Sequence, residues 1–293
     1  MKNNPLKKCE PYLFIAPTFI LLIIFMYFSI GLAFYISLTD KVPGRETHCI
    51  GLQNYIDLLS DQMFLKSFEN QIYISFFSVV NSIVFPLLAA LILYYVRRKF
   101  ASKLIKTMFV IPMLVPGIVT ILIWKYLFNA NYGFNSILDA IGLSQLTHNW
   151  LNDENTALWS IIFTGFPFVS GMYFLLFHAG LNNISSELYD AAKVDGASSW
   201  NIVWNIQIPG VWPYVKVVAT LSLIGSLSGF GNVAAMTAGG PGYSTMIPAL
   251  QMYKVAFGDG KHGYASALGV VLFFVIVIVT VLTNKLMSAK EDK

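Results

Sequence analysis

Three of the 15 acidic residues in this 293-residue chain, Glu187, Asp190 and Asp195, fall within nine consecutive positions. Carboxylates at this spacing can hydrogen-bond or form ion pairs with the basic groups of a partner protein. Catalytic uses are not indicated, because the sequence has no G-x-x-x-x-G-K-[ST] phosphate loop, no H-E-x-x-H zinc motif and no G-x-S-x-G nucleophile turn. We therefore interpret the cluster as a contact surface and do not expect an enzyme.

Two short helices are expected to present this cluster. The Ser185-Ser186 dipeptide offers an N-cap for the first helix, and the acids that follow favour the positive end of its dipole. Leu188, Ala191 and Ala192 share one face, which is small enough for another surface to approach closely. Gly196 is expected to end this helix in the left-handed conformation.

The second helix is predicted from Ser198 or Ser199 to about Gln207. Pro209 is expected to stop it, because the residue before a proline is pushed away from the helical region. The polar side chains of 196–215 would be unsatisfied in hydrocarbon, so this segment is predicted to lie at a membrane surface. On these residues alone, an ordinary interfacial loop is an equally good interpretation.

The chain as a whole has the composition of an integral membrane protein. Hydrophobic residues make up 56% and charged residues 12%, whereas soluble domains have about 45–50% and about 25%. Because a bilayer core of about 30 Å needs roughly 20 apolar residues in a helix, the charge-free runs predict an all-α fold with six transmembrane helices. These are expected near 12–38, 71–96, 107–128, 156–178, 215–236 and 264–286.

Lys and Arg fall mainly on one side of these predicted spans. With the N-terminus inside, thirteen of the 19 basic residues are cytoplasmic, as the positive-inside rule requires. Both termini are therefore predicted to be cytoplasmic. Cys9 would lie inside and Cys49 outside, so neither a disulfide nor a metal site is expected.

The predicted spans lack the groups that an ion-coupled carrier needs. Lys, Arg, Asp and Glu are absent from the middle of every span, and His178 lies near a helix end, where a capping role is favoured. No broken-helix pattern recurs between the two halves of the chain, as it does in inverted-repeat carriers. If the chain moves a solute uphill, its energy must come from a partner.

The stretch around the acidic cluster resembles the EAA loop of binding-protein-dependent ABC importer permeases, whose pattern is roughly E-A-A-x-x-x-G, nine residues, then I-x-L-P. Here the sequence reads Asp190-Ala191-Ala192-Lys193-Val194-Asp195-Gly196, then Ile206-Gln207-Ile208-Pro209. Asp190 replaces the usual Glu and shortens its reach. Two outer segments are similar to the sugar-transporting branch of that family, which includes maltose and glycerol-phosphate permeases: Gly51-Leu52-Gln53-Asn54-Tyr55 and Thr237-Ala238-Gly239-Gly240-Pro241-Gly242-Tyr243-Ser244-Thr245.

The resemblance implies a type I ABC importer permease in a bacterial or archaeal cytoplasmic membrane. Residues 1–70 would form the N-terminal tail, first transmembrane helix and outer loop, 71–286 the transmembrane domain with a coupling loop at 183–210, and 287–293 a cytoplasmic tail. The implied partners are a second permease subunit in a heterodimer, two ATPase subunits, an extracytoplasmic solute-binding protein and the lipid bilayer, with no nucleic acid. ATP and Mg would bind the ATPase, and this chain would hold no cofactor.

In such permeases the coupling loop sits in a cleft of one ATPase subunit and transmits its movement to the membrane helices, which alternate in access. The residues expected to make that contact are Glu187, Asp190, Ala191, Ala192, Asp195, Gly196, Ile206 and Pro209. The implied cargo is a sugar, in particular an oligosaccharide, which needs hydroxyl partners and aromatic faces rather than charges. Residues proposed for its path are Asn81, Ser82, Phe168, Ser226, Gly229 and Asn232. Gly225 and Gly229 fit helix–helix packing better than a path.

Two alternatives remain open from the sequence. The same machine could carry a non-sugar solute such as an amino acid or a peptide, because nothing within the spans dictates a hydroxylated ligand. An ion-coupled secondary carrier or channel would instead transport without any partner.

Overall fold

The computed structural model describes residues 5–96 and 98–288. Within these ranges the secondary structure is helical, with one isolated bridge between Thr39 and Cys49 and no strand. This confirms the all-α fold class. Arg97, the side chain of Cys9 and the ends of the predicted tails, 1–4 and 289–293, lie outside the described residues.

One compact unit comprises the residues up to 61 together with 251–273. A π-helical turn at Ile23–Tyr27 joins its first two helices into one rod. Asn54 belongs to the outer segment 51–55, whose sequence is similar to the sugar-transporting branch. Its buried carboxamide donates to the carbonyl oxygens of Ser37 (2.8 Å) and Thr39 (2.9 Å), which holds this segment in place. The helices that lie wholly within this unit are α1 (Pro5–Leu22), α2 (Phe28–Ser37) and α3 (Gln53–Ser60).

The second compact unit comprises residues 62–250 and the residues from 274 onward. It contains α4 (Gln62–Tyr94), α5 (Lys99–Val110), α6 (Gly117–Leu127), α7 (Phe134–Ala140), α8 (Ala157–Phe163), α9 (Gly171–Asn182), α10 (Ser186–Val194), α11 (Ser199–Ile202), α12 (Ile208–Gly210), α13 (Trp212–Ser228) and α14 (Gly231–Met236). The last two helices of the chain are α15 (Pro248–Phe257) and α16 (His262–Ser288).

The core of the second unit lies where α4, α9 and α13 pack together. Ala90, Phe174, Phe177, Leu181 and Val218 are fully buried there. Because lipid is as apolar as these side chains, close van der Waals packing rather than the hydrophobic effect holds such helices together in a membrane. This three-helix core therefore provides a firm frame for the loops and helix breaks around it.

Three helices are long and apolar enough to cross a membrane, and two bent pairs raise the number to five among the described residues. The three continuous ones match the predictions near 12–38, 71–96 and 264–286. The helices predicted at 107–128, 156–178 and 215–236 are broken rather than continuous. The first of these is bent by 93° between Leu114 and Gly117, where Val115 takes the extended conformation required before Pro116.

The other two breaks also occur at glycine or proline. The predicted fourth span is divided into α8 and α9 by residues 164–170, which include Gly165 and Pro167. The predicted fifth span is interrupted after Ser228, where Gly229 is extended with ψ 134°. These interruptions were not predicted, because counting charge-free residues does not register helix-breaking residue types.

Pro209 does not end a helix, contrary to the prediction. The backbone stays helical from Ser199 to Gly210, passing through a π-helical turn at Val203–Gln207. Pro209 follows this turn by two residues, and the helix ends immediately after it at Gly210. The chain then bends by 60° into α13.

The glycine-rich segment 237–245 is tightly held within the second unit. The hydroxyl of Thr237 lies 2.7 Å from that of Thr245, which also donates to the Gly240 carbonyl. The side chain of Asn70 in α4 donates to the carbonyl oxygens of Tyr243 (3.0 Å) and Met246 (2.9 Å). This segment is thus an ordered structure and not a loose turn.

Candidate functional site

The helix α10 has the two caps that the sequence predicts. The Ser185 hydroxyl accepts a hydrogen bond from the Glu187 N–H at 3.2 Å. Gly196 has φ +72°, and the N–H of Ala197 donates to the carbonyl of Ala192 at 2.9 Å. That pairing, with a left-handed glycine, is a Schellman motif. Both ends of this short helix are therefore fixed by local hydrogen bonds.

The acidic cluster on α10 is open to solvent. Glu187, Asp190 and Asp195 are all exposed. Asp190 pairs with Lys193 one turn later, with 2.9 Å between the ammonium nitrogen and the carboxylate oxygen. An exposed pair of this kind is worth about 0–1 kcal/mol. A basic group on a partner can therefore replace Lys193 at little cost.

The remaining residues of the predicted contact lie along the same segment. Ala191, Gly196 and Pro209 are exposed, whereas Ala192 and Ile206 are half-buried. Large apolar side chains are exposed beside them, namely Leu188 (54%), Val194 (88%), Trp200 and Trp204. Exposed apolar groups next to charged ones are typical of a surface that binds another protein. We call residues 187–209 the loop surface.

Tyr189 is the member of this region that the sequence analysis missed. It is the one residue of α10 that is buried, with 9% of its surface exposed, and its ring stacks on Tyr94 at the end of α4 with 5.7 Å between centroids. Burial raises the pKa of its hydroxyl. The sequence offered little signal for its burial, because Tyr189 is the direct chain neighbour of both exposed Leu188 and exposed Asp190.

A cavity of about 490 Å³ lies in the second unit, away from the loop surface. It is bordered by the middle of α4, by the break between α8 and α9, and by the break between α13 and α14. All six residues that the sequence analysis assigned to a substrate path line it, and none of the described residues in its wall is charged. Those six are Asn81, Ser82, Phe168, Ser226, Gly229 and Asn232.

The walls of this cavity are joined by buried polar contacts. Gln71 of α4 donates to the Ser226 carbonyl (3.0 Å) and to the Ser75 hydroxyl (2.9 Å), and Ser226 donates to Ser75 at 3.0 Å. Asn232 has a buried side-chain oxygen for which no described group donates a hydrogen bond. Once the Asn232 side chain turns toward the cavity that it borders, this unpaired oxygen can accept a hydrogen bond from a ligand hydroxyl.

Aromatic and hydroxyl groups that the sequence analysis did not identify also border the cavity. Phe77 and Ser78 lie one turn before Asn81 and Ser82, so the helical period could have found them. Phe168 has φ +60° and packs against Phe85 with 5.2 Å between ring centroids. Non-glycine residues in that conformation store about 1–3 kcal/mol of strain and tend to cluster at functional sites.

The helix-packing interpretation of Gly225 and Gly229 does not hold within this chain. A Cβ added to Gly225 would meet no atom within 4 Å, and one on Gly229 would meet only the Gly225 carbonyl. Both glycines border the cavity instead. A second cavity of about 520 Å³, lined by residues that include Phe128, Trp150 and Phe163, is largely apolar and unsuited to a hydroxylated ligand.

Comparison with known sequences places these features in context. A family model described as "Binding-protein-dependent transport system inner membrane component" matches residues 82–291. The probable ABC transporter permease protein YurN of Bacillus subtilis is 30% identical over 288 residues, covering 98% of both chains. The multiple sugar-binding transport system permease protein MsmF of Streptococcus mutans is 31% identical with the same coverage. The arabinooligosaccharides transport system permease protein AraP of B. subtilis is 31% identical over 96% of this chain and 89% of its own.

Solved structures share the fold over almost the whole length. The crystal structure of a bacterial ABC transporter involved in the import of the acidic polysaccharide alginate matches with a TM-score of 0.84 at 21% identity, covering 97% of each chain. A complex of the alginate transporter with an alginate pentasaccharide-bound periplasmic protein gives the same TM-score. At this identity the likeness concerns the fold, and it confirms the predicted type I importer permease architecture.

Proposed function

The chain belongs to the family of binding-protein-dependent transport system inner membrane components, which are multi-pass membrane proteins of ABC transporters, and from that premise we propose that it is the permease subunit of an ATP-driven importer for a neutral oligosaccharide. MsmF and AraP, the two relatives above whose names specify a cargo, are both sugar permeases. The chain itself moves the solute, and a partner hydrolyses ATP.

The cavity at the helix breaks is the observation that carries the proposed cargo. Non-helical backbone at membrane depth is tolerated where it lines a cavity, because its polar groups then find partners other than lipid. The wall offers hydroxyls, carboxamides and the ring of Phe168, and its described residues carry no charge. Side chains of this kind suit sugar hydroxyls and the apolar faces of sugar rings, and they offer nothing to neutralise an ionised solute.

The loop surface is proposed as the contact with the ATPase. Glu187, Asp190 and Asp195 pair with basic groups of that partner, while Ala191 and Gly196 leave room for its close approach. Ala192, Ile206 and Pro209 shape the same face. When ATP and Mg close the two ATPase subunits, the seated loops move together and bias the permease pair toward the outward-open state. An extracytoplasmic binding protein delivers the sugar, and a second permease subunit completes the path.

Reconstitution of the complete transporter tests the proposal. The subunit is co-expressed with a second permease subunit and the ATPase, placed in proteoliposomes and supplied with binding protein and labelled oligosaccharides. We expect uptake that requires ATP and is competed by neutral sugars. Uptake by this chain alone, or uptake competed only by amino acids, peptides or charged solutes, would refute it.

A variant in the cavity sharpens this test. Asn232→Leu removes the orphan acceptor and should reduce uptake about fivefold at low sugar concentration, as expected for the loss of one buried hydrogen bond of about 1 kcal/mol. Asn149→Leu, at an exposed position, is the matched control and should transport normally. Equal uptake by both variants would remove Asn232 from the proposed path.

A further inference from the structure

The helix α10 is attached to the rest of the second unit through a single buried side chain. Tyr189 is the one buried residue of α10, and its ring stacks on Tyr94, the last residue of α4, at an interplanar angle of 25°. The other residues of the helix are exposed or half-buried. A movement of α10 must therefore reach α4 chiefly through this ring contact.

Gln207 lies at the same junction and is fully buried. It is the last residue of the π-helical turn that leads through α12 into α13. Tyr95, next to the stacked Tyr94, donates from its hydroxyl to the Gln207 side-chain oxygen at 3.3 Å. Gln207 thus connects the end of α4 with the segment that becomes α13, and both of these helices border the cavity.

Two polar groups at this junction lack partners among the described residues. They are the hydroxyl of Tyr189 and the side-chain nitrogen of Gln207, both buried. Burial and the neighbouring Tyr94 side chain raise the pKa of Tyr189, whereas the neighbouring Gln207 side chain lowers it, so both side chains lie next to the Tyr189 hydroxyl. A buried donor beside a buried acceptor, both unpaired, is unfavourable, and a small shift that joins them removes that penalty.

We propose that Tyr189 and Gln207 are positioning residues that pass the movement of α10 to α4 and α13, and that the hydrogen bond between them forms when the partner ATPase draws α10 toward the membrane helices. This inference rests on the proposed function, because it requires the loop surface to be the ATPase contact. In the conformation described here the hydrogen bond between Tyr189 and Gln207 is not formed. Formation of this hydrogen bond would favour the outward-open conformation, which ATP binding to the ATPase subunits also favours.

The test compares transport with ATP consumption in the reconstituted complex. Tyr189→Phe keeps the ring that stacks on Tyr94 but removes the hydroxyl, and Gln207→Leu keeps the bulk but removes the amide. Tyr189→Phe should lower the sugar imported per ATP hydrolysed about fivefold, the change that corresponds to one hydrogen bond of about 1 kcal/mol. Gln207→Leu should lower it at least as much, because it also removes the acceptor of the Tyr95 hydroxyl. The double variant should be no worse than Gln207→Leu alone, because Tyr189→Phe removes only a bond that Gln207→Leu has already removed.

Matched controls separate this role from a merely structural one. Tyr126→Phe and Gln145→Leu make the same chemical changes at exposed positions and should leave the transport-to-ATP ratio unchanged. If the Tyr189 and Gln207 variants reduce only the amount of assembled complex, or if their effects on the ratio add, the proposal is overturned. Absence of ATP-dependent uptake in the unsubstituted complex would instead refute the proposed function.

Discussion

Replacing Gly196 by aspartate should abolish uptake without removing the subunit from the membrane. Gly196 ends α10 with φ +72°, and a Cβ added there would meet no atom within 4 Å. The substitution therefore introduces no internal clash. It does place a carboxylate and new bulk on the loop surface, where the ATPase is proposed to approach closely.

The energetic cost to the permease itself can be bounded from this geometry. An L-residue in the left-handed region costs roughly 1–2 kcal/mol, and aspartate is among the residues that tolerate it best. Domains have roughly 5–15 kcal/mol of stability, so the fold should survive. Gly44 provides a matched control, because it has φ +77° with equally open surroundings and lies in the segment predicted to be outside.

The assay measures ATP-dependent sugar uptake and membrane abundance for Gly196→Asp and Gly44→Asp in parallel. We expect both variants to reach normal abundance, with uptake lost only in Gly196→Asp. The ATPase should also co-purify less well with that variant. Normal uptake by Gly196→Asp, or an equal loss in both variants, would show that the loop surface is not the ATPase contact.

Three further predictions concern the cavity, the ordered outer segment and the loop before α3. Gly225→Leu should fold normally, because a Cβ there meets no atom within 4 Å and glycine costs about 0.8–1.0 kcal/mol in a helix relative to alanine, whereas leucine costs much less. It should nevertheless block uptake by filling the cavity; Gly117→Leu, whose Cβ also meets no atom within 4 Å, is the control. Asn70→Ala removes two hydrogen bonds to backbone carbonyls and should lower stability by about 2–3 kcal/mol, measured as a reduced Tm of the purified complex. The His48 N–H donates a hydrogen bond to Asp40 and lowers the pKa of that carboxyl. This hydrogen bond therefore stabilises the loop fully above the usual pKa of an aspartate, and the stabilisation is lost as the pH falls through the lowered pKa of Asp40. Amide exchange at His48 should therefore become equal in the wild type and Asp40→Asn at acid pH and differ at neutral pH; no difference at any pH would contradict this.

The sequence predicted the long apolar helices well and their interruptions poorly. Runs without charge identify α4 and α16 because an unbroken apolar helix is the simplest way to cross a bilayer. The breaks at Pro116, Pro167 and Gly229 depend on backbone preferences that hydropathy does not contain. Pro209 shows the reverse error, since the helix was predicted to stop before it but continues through it to Gly210.

Features of the candidate sites that depend on nearby residues could be predicted from the sequence, whereas those that depend on distant residues could not. Ser185 and Gly196 act within one turn of their own positions, so the caps of α10 could be read directly from the sequence. The burial of Tyr189 depends on Tyr94 and Gln207, which are distant along the chain and meet only after α4, α10 and α13 have packed. The grouping of the six candidate path residues in one cavity likewise required the helix breaks.

Pro86 gives α4 a means of linking the loop surface to the cavity. It lies within the helix between Ser82, which borders the cavity, and Tyr94, which receives the ring of Tyr189. Because proline has no N–H, it cannot donate to the carbonyl four residues earlier, and that carbonyl belongs to Ser82. The helix is therefore weakened at the cavity wall, about 18 Å from Tyr94 at a rise of 1.5 Å per residue. A force applied at Tyr94 would move the packed end of α4 together with the three-helix core and bend the helix at this point, so the cavity wall at Ser82 would change shape.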